Sequence, residues 1–185
     1  MFDEFRLKML NKKASTKDSN PDEIVENLGI NKGDIIGDIG AGGGYFTLEF
    51  SKKVGGNGKV YAIDTNQKSL DYISKNNTLN NIETKLVEDD EFVLPEKVDI
   101  FFLRNVFHHL QDPVEYFKNL SVYLKNEGLI VVIDYKKKGF SFVGMFGHYT
   151  SEDDIIKQLE AAGFGVLKQY DFLQDQSFIK FKRRN

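Results

Sequence analysis

Apolar runs alternate along the chain with stretches of helical period, and this alternation predicts strands and helices in turn. Phe2, Phe5 and Met9 recur at roughly helical spacing ahead of the polar run NKKASTKDSN. Residues 1–19 are therefore read as an N-terminal helix and linker, either docked on the body or acting as a lid over a site. Asn20-Pro21-Asp22-Glu23 then opens a helix: Asn20 is placed to cap, Pro21 suits the first helical position and Glu23 can close a capping box. That helix turns Ile24, Val25 and Leu28 inward and stops near Gly29.

A strand begins at Ile35 and runs into a glycine turn, followed by a helix region holding Phe46, Leu48 and Phe50, with Val54 beyond it. Gly55-Gly56-Asn57-Gly58 breaks that helix and returns the chain to a second strand, Lys59 to Ile63. Strand, helix and strand within about thirty residues is the pattern of a parallel crossover. Further along, the pattern predicts a helix from Gln67 to Asn77 with Leu70 and Ile73 on one face, and a short strand from Ile82 to Val87. The run VDIFFL, Val98 to Leu103, reads as a strand buried on both faces.

Asp112-Pro113-Val114-Glu115 repeats the cap, proline and glutamate pattern, and the helix it opens carries Val114, Phe117, Leu120 and Leu124 on a stripe that ends by Gly128. An apolar fifth strand, Leu129 to Ile133, ends at Asp134. A glycine- and aromatic-rich connection, residues 136–150, leads to a helix capped by Ser151 that bears Ile155, Ile156, Leu159 and Ala162 and ends at Gly163. Such a long connection is either functional or plain surface irregularity. Two last strands, Val166 to Tyr170 and Phe178 to Phe181, are close enough to pair antiparallel. The fold class is α/β, with a central and mostly parallel sheet. Residues 20–185 form one domain behind the N-terminal segment.

Composition narrows the function classes. The 185 residues support one sizeable core, and 41% hydrophobic with 29% charged residues suits a globular protein. A net charge of -3 gives no global basic excess to suggest a nucleic-acid binder, which leaves only a local patch open, and Lys136-Lys137-Lys138 reads as a solvated loop. With no cysteine there is no disulfide, thiol nucleophile or thiolate metal site. The start MFDEFRLKML is not a secretory leader and no apolar run reaches spanning length, so a cytoplasmic location without membrane insertion is expected. Nothing in the pattern assigns an oligomeric state.

The candidate chemistry lies in Ile35 to Leu48, IIGDIGAGGGYFTL. Clustered glycines between a strand and a helix let a ligand approach the backbone beside the positive end of the helix dipole, although such a turn can also simply join two packed elements. A dinucleotide fingerprint needs a third glycine where Tyr45 stands, and no Gly-Lys-Ser/Thr follows as in a phosphate-binding loop. What is present is Asp-x-Gly-x-Gly-x-Gly from Asp38 to Gly44, with a second acid, Asp64, at the end of VYAID. This acidic crevice suits a cationic or polyhydroxylated ligand better than a triphosphate.

With these residues and the segments VDIFFLRNVFHHL and EGLIVVID in order, the chain resembles the class I S-adenosylmethionine-dependent methyltransferase family, in its small-molecule branch, over roughly residues 20–185. The resemblance implies a Rossmann-like three-layer sandwich with seven strands in the order 3-2-1-4-5-7-6, one of them antiparallel. It implies S-adenosyl-L-methionine as cofactor. Gly40 and Gly42 would border its methionine part, Asp38 would lie near its amino group or order the loop, and Asp64 would accept from both ribose hydroxyls. Asp90 or Asp89 would face the adenine, with Glu91 and Phe92 at that pocket's edge. Tyr45, Thr65, Arg104 and Asn105 complete the expected cofactor set, Arg104 and Asn105 at the methionine end.

Displacement at a sulfonium methyl needs alignment more than acid–base help, so a general base is optional. The candidates are the three histidines, with Tyr149 weaker; His109, just past the fourth strand, and His148, in the long connection, are the expected catalytic residues. His108 and His109 are adjacent and no His-Glu-x-x-His motif is present, so no metal is expected. RNVFHH stands where many enzymes methylating amines of nucleic acid or protein carry Asn-Pro-Pro-Phe/Tyr, which favours a small-molecule acceptor over a macromolecular one. Phe107, Phe140, Phe142 and Phe146 are read as either acceptor-cavity lining or core. A non-catalytic S-adenosylmethionine-binding protein is the main alternative; an NAD-dependent oxidoreductase is disfavoured by Tyr45.

Overall fold

In the first half of the sheet, strands β1 (Ile35–Ile39), β2 (Lys59–Asp64) and β3 (Ile82–Leu86) run parallel, with Asp38 opposite Ala62, Ile39 opposite Ile63, and Asp64 opposite Leu86. This register brings the two acids and the glycine turn to the carboxyl ends of neighbouring strands. The computed structural model describes residues 2–87, 93–136 and 149–184. Strands β4 (Val98–Arg104), β5 (Leu124–Tyr135), β6 (Phe164–Tyr170) and β7 (Gln176–Arg183) complete a seven-stranded sheet of order β3-β2-β1-β4-β5-β7-β6, the order expected from the resemblance. β7 is antiparallel to both β5 and β6, which is the C-terminal hairpin predicted from the sequence.

The described helices are α1 (Phe2–Ala14), α2 (Pro21–Leu28), α3 (Tyr45–Val54), α4 (Gln67–Lys75), α5 (Pro113–Ser121) and α6 (Glu152–Ala161). The chain divides into two compact units, residues 1–98 and 99–185. In the first, α2 buries Ile24, Val25 and Leu28 as expected, α3 buries Phe46, Phe50 and Val54, and α4 sets Leu70 and Ile73 against Ala62 of β2. Within the second, Phe107 is buried and stacks on Phe117 of α5 at 5.8 Å between ring centres, so it belongs to the core. Phe140, Phe142 and Phe146 lie outside the described residues.

Caps followed the sequence in two cases of three. Asp112 accepts from the Glu115 amide at 3.1 Å and Ser151 from the Asp154 amide at 3.1 Å. Asn20 makes no side-chain cap bond: it sits in the left-handed region (φ 42) as it leaves a short 3₁₀ turn at Lys17–Ser19, and its own amide is used by Lys17. A second correction concerns α5. It ends at Ser121, three residues before Leu124, which already belongs to β5, and its buried face is Pro113, Tyr116, Phe117 and Leu120 with Val114 only half-buried. Lys125, already in the strand, pairs with Asp99 of β4 at 2.8 Å, and Gly128, read as a helix stop, lies within the strand.

Candidate cofactor site and the strand-end histidines

Asp38 is the last polar residue before the turn and is almost fully enclosed, 3% exposed. Its Oδ2 accepts from Thr47 Oγ1 at 2.5 Å, a residue of α3 that is itself buried. Burial pushes the carboxyl up to about 7; the Thr47 hydrogen bonds oppose that shift, and the neighbouring Asp64 charge adds to it. Between these two acids the glycine turn is fixed by its own amides. Gly40 and Ala41 donate to Ile63 O at 2.8 and 3.2 Å, and Gly44 donates to Ala41 O at 2.8 Å.

Gly40, Gly42 and Gly44 all have positive φ, of 70, 54 and 81. At Gly44 the demand is double, because a Cβ there would also come 2.5 Å from Cγ1 of Ile73 on α4. Asp64 closes the arrangement. Its Oδ2 accepts from the Gly42 amide at 2.7 Å and its Oδ1 from the Asn66 amide at 2.9 Å, so the carboxylate at the end of β2 is oriented by the turn at the end of β1. Thr65 beside it is exposed, and Tyr45 is half-buried at the start of α3 with its ring edge-on to Phe46. Asp89, Asp90, Glu91 and Phe92 lie outside the described residues.

In the second unit, Arg104 ends β4 and Asn105 follows with φ 59. Both side chains meet Gln176, the first residue of β7: Arg104 Nη2 donates to its Oε1 at 2.8 Å, and its Nε2 donates to Asn105 Oδ1 at 2.5 Å. Sequence reasoning missed Gln176, because nothing local marks a glutamine at a strand start more than seventy residues away.

The adjacent histidines differ. His109 is exposed. His108 packs its ring against Asp134, Nδ1 to Oδ1 at 2.7 Å, and the other carboxylate oxygen takes the His108 amide at 3.0 Å. Asp134 is fully buried at the end of β5 and also receives the Tyr135 amide at 2.7 Å. The two imidazoles lie 4.0 Å apart between centres. The signal for this pair was an acid closing an apolar strand, the pattern shared by Asp38 and Asp64. His148 lies outside the described residues, whereas Tyr149 is within them and half-buried. Among the described residues no group of three or more His, Asp or Glu is arranged to hold a metal ion, and no helix is long and apolar enough to cross a membrane.

Comparison with known proteins bears on the family and the fold. Residues 30–168 match the family model of a methyltransferase domain. Demethylmenaquinone methyltransferase of Staphylococcus aureus (strain JH9) is 28% identical over 114 residues, 60% of this chain and 47% of that protein. The chain thus spans about half the length of the curated relatives it matches. A solved SAM dependent methyltransferase from Aquifex aeolicus superposes with a TM-score of 0.86 at 26% identity, covering 98% of both chains. The CcbJ methyltransferase of Streptomyces caelestis, with a TM-score of 0.71, 9% identity and coverage of 87% and 88%, shares the fold. A family model covering well over half of the sequence, on a sheet with the expected strand order, establishes that the chain belongs to the class I S-adenosylmethionine-dependent methyltransferase family.

Proposed function

We propose that this protein binds S-adenosylmethionine at the Asp38–Gly44 turn and Asp64, and transfers its methyl group to a small-molecule acceptor. The observation that carries the reading is the clasp between Asp64 and Gly42. Each oxygen of Asp64 accepts one backbone N–H, which fixes the carboxylate plane and leaves a lone pair on each for a ribose diol. The positive-φ glycines at 40 and 42 keep side chains off the face where the cofactor's methionine part would lie. Asp38 would hold the cofactor's amino group, whose positive charge favours the ionised carboxylate.

When bound, S-adenosylmethionine supplies an activated methyl on a sulfonium. The protein's share is alignment. Tyr45 and Thr65 flank the turn and the ribose acid, and Asp89 or Asp90 is assigned to the adenine. Arg104 and Asn105 are assigned to the methionine end, with Gln176 holding both side chains in place. Where the acceptor must lose a proton, His109 and His148 are the candidate bases. The curated relatives are named for demethylmenaquinone, which favours a small molecule as acceptor here.

Calorimetric titration with S-adenosylmethionine, S-adenosylhomocysteine and NAD tests the cofactor. Both sulfur nucleosides are expected to bind, and silence from both, or preference for NAD, overturns the reading. Asp64→Ala is expected to weaken S-adenosylhomocysteine by at least about tenfold, through loss of two charge-assisted hydrogen bonds. Unchanged affinity removes the ribose assignment.

A further inference from the structure

Helix α1 is seated on the glycine turn. Asn11 Nδ2 donates to Gly43 O at 2.7 Å. The contact is close along the backbone as well: a Cβ on Gly43 would lie 2.2 Å from Asn11 Oδ1 and 2.7 Å from Leu7 O, so only glycine admits the helix there. Leu10 Cδ1 stands 3.8 Å from the position of a Cβ on Gly42. The peptide joining Gly43 to Gly44 is consequently held at both ends, its carbonyl by Asn11 and its N–H by Ala41 O at 2.8 Å. That peptide lies in the stretch between two of the turn's positive-φ glycines, Gly42 and Gly44.

Elsewhere α1 is fastened loosely. Leu7 is buried at 2% exposure, but Phe5 and Met9, from the stripe read in the sequence, are 66% and 50% exposed. Toward α4 the helix is tied by an exposed ion pair between Asp3 and Lys68 at 2.6 Å, and such pairs contribute little. Beside that pair a groove of about 600 Å³ lies open, lined by Asp3, Leu7, Lys8, Lys68 and Tyr72 among others.

We propose that Asn11 is a positioning residue for the cofactor-binding turn, and that seating of α1 and binding of the cofactor are coupled. The inference rests on the cofactor reading above. Seating fixes the Gly43–Gly44 peptide and so pre-orders the turn that receives the cofactor. By linkage, whatever factor α1 contributes to cofactor affinity, the cofactor returns to α1 seating.

The test uses the full chain with S-adenosylhomocysteine as ligand. Calorimetry on Asn11→Ala, and on Asn11→Asp, which keeps the shape and loses the donor, is expected to give affinity about fivefold weaker than the unaltered protein, the worth of one hydrogen bond. Phe5→Ser, on the outer face of the same helix, is expected to bind as the unaltered protein does. Limited trypsin digestion after Arg6, Lys8, Lys12 and Lys13 reads the helix directly. Saturating S-adenosylhomocysteine is expected to slow those cleavages about fivefold in the unaltered protein and to lose that effect in Asn11→Ala. A purely structural anchor would not make cleavage of α1 depend on ligand. If the unaltered protein binds the ligand but Asn11→Ala binds equally well, or ligand leaves cleavage of α1 unchanged, the coupling is wrong and the cofactor reading stands. Failure of the unaltered protein to bind overturns both.

Discussion

Replacing Asp38 by asparagine isolates the electrostatic strain at the heart of the site. The carboxyl is pushed from 3.8 to about 7, chiefly by burial. Because the folded state then holds its proton more tightly than the unfolded chain, the stabilisation is greatest at low pH and is lost as pH rises from about 4 through about 7. A gap of about 3 pH units corresponds to roughly 4 kcal/mol in full. Integrated between pH 5 and pH 8, the loss comes to about 2.5 kcal/mol. Urea unfolding of the unaltered protein and of Asp38→Asn at both pH values measures it, since asparagine keeps an acceptor for Thr47 and does not titrate. The unaltered protein should lose about 2.5 kcal/mol more than the variant over that interval. Parallel pH profiles would refute the argument. The same titration links to the ligand: an ammonium beside Asp38 favours the ionised form, so S-adenosylhomocysteine binding should release a proton near pH 6 and tighten as pH rises. Calorimetry in two buffers of different ionisation enthalpy reads that release directly, and a proton count of zero would separate Asp38 from the cofactor's amino group.

Three further outcomes follow from the packing. Gly44→Ala must place a Cβ at φ 81 and into Ile73, so it should destabilise by about 2–4 kcal/mol, measured by urea unfolding; a change below about 1 kcal/mol would mean that α4 yields. Asp134→Asn faces the His108 and Tyr135 amides with a group that has fewer acceptor sites, and should lower stability by about 1–3 kcal/mol, with the His108 imidazole resonances shifting in nitrogen-15 correlation spectra and those of His109 shifting less. Equal shifts at both rings would deny the special tie between His108 and Asp134. Gln176→Leu strips the bridge between Arg104 and Asn105, and should cost about 1–3 kcal/mol in the same unfolding assay, whereas a neutral result would mean that water replaces it.

Much of the fold was legible because its determinants are local. Pro21 and Pro113 start their helices, and Gly29 and Gly163 follow theirs in the left-handed conformation. The apolar runs from Ile35, Val60, Ile100 and Ile130 are buried strands. The errors sit where a distant residue decides. β5 extends back to Leu124 although its first residues continue the helical stripe of α5, and an ion pair from Lys125 to Asp99 of a neighbouring strand accompanies that extension. Asn20 has a capping side chain but a backbone already committed to the 3₁₀ turn before it.

The candidate site divides along the same line. Glycine spacing and Asp64 could be read because each carries its reason within a few residues: positive φ at a strand exit, and an acid where a strand stops. The partners that hold them could not. Asp64 is aimed by an amide 22 positions earlier, Asp38 is raised by its burial and held by Thr47 nine positions on, and the turn is pinned by Asn11, 32 positions before Gly43. Phe2, Phe5 and Met9 have helical period, yet Phe5 and Met9 face solvent while Leu7 is buried and Asn11 bonds the turn. Periodicity reports that a helix forms. Which side it turns inward depends on the surface it meets, and here that surface includes the backbone of Gly42 and Gly43, which offers a carbonyl that only a donor can use. Leu7 supplies the buried apolar contact and Asn11, one turn further on, the donor for that carbonyl, so the inward face mixes apolar and polar positions and leaves Phe5 and Met9 outside.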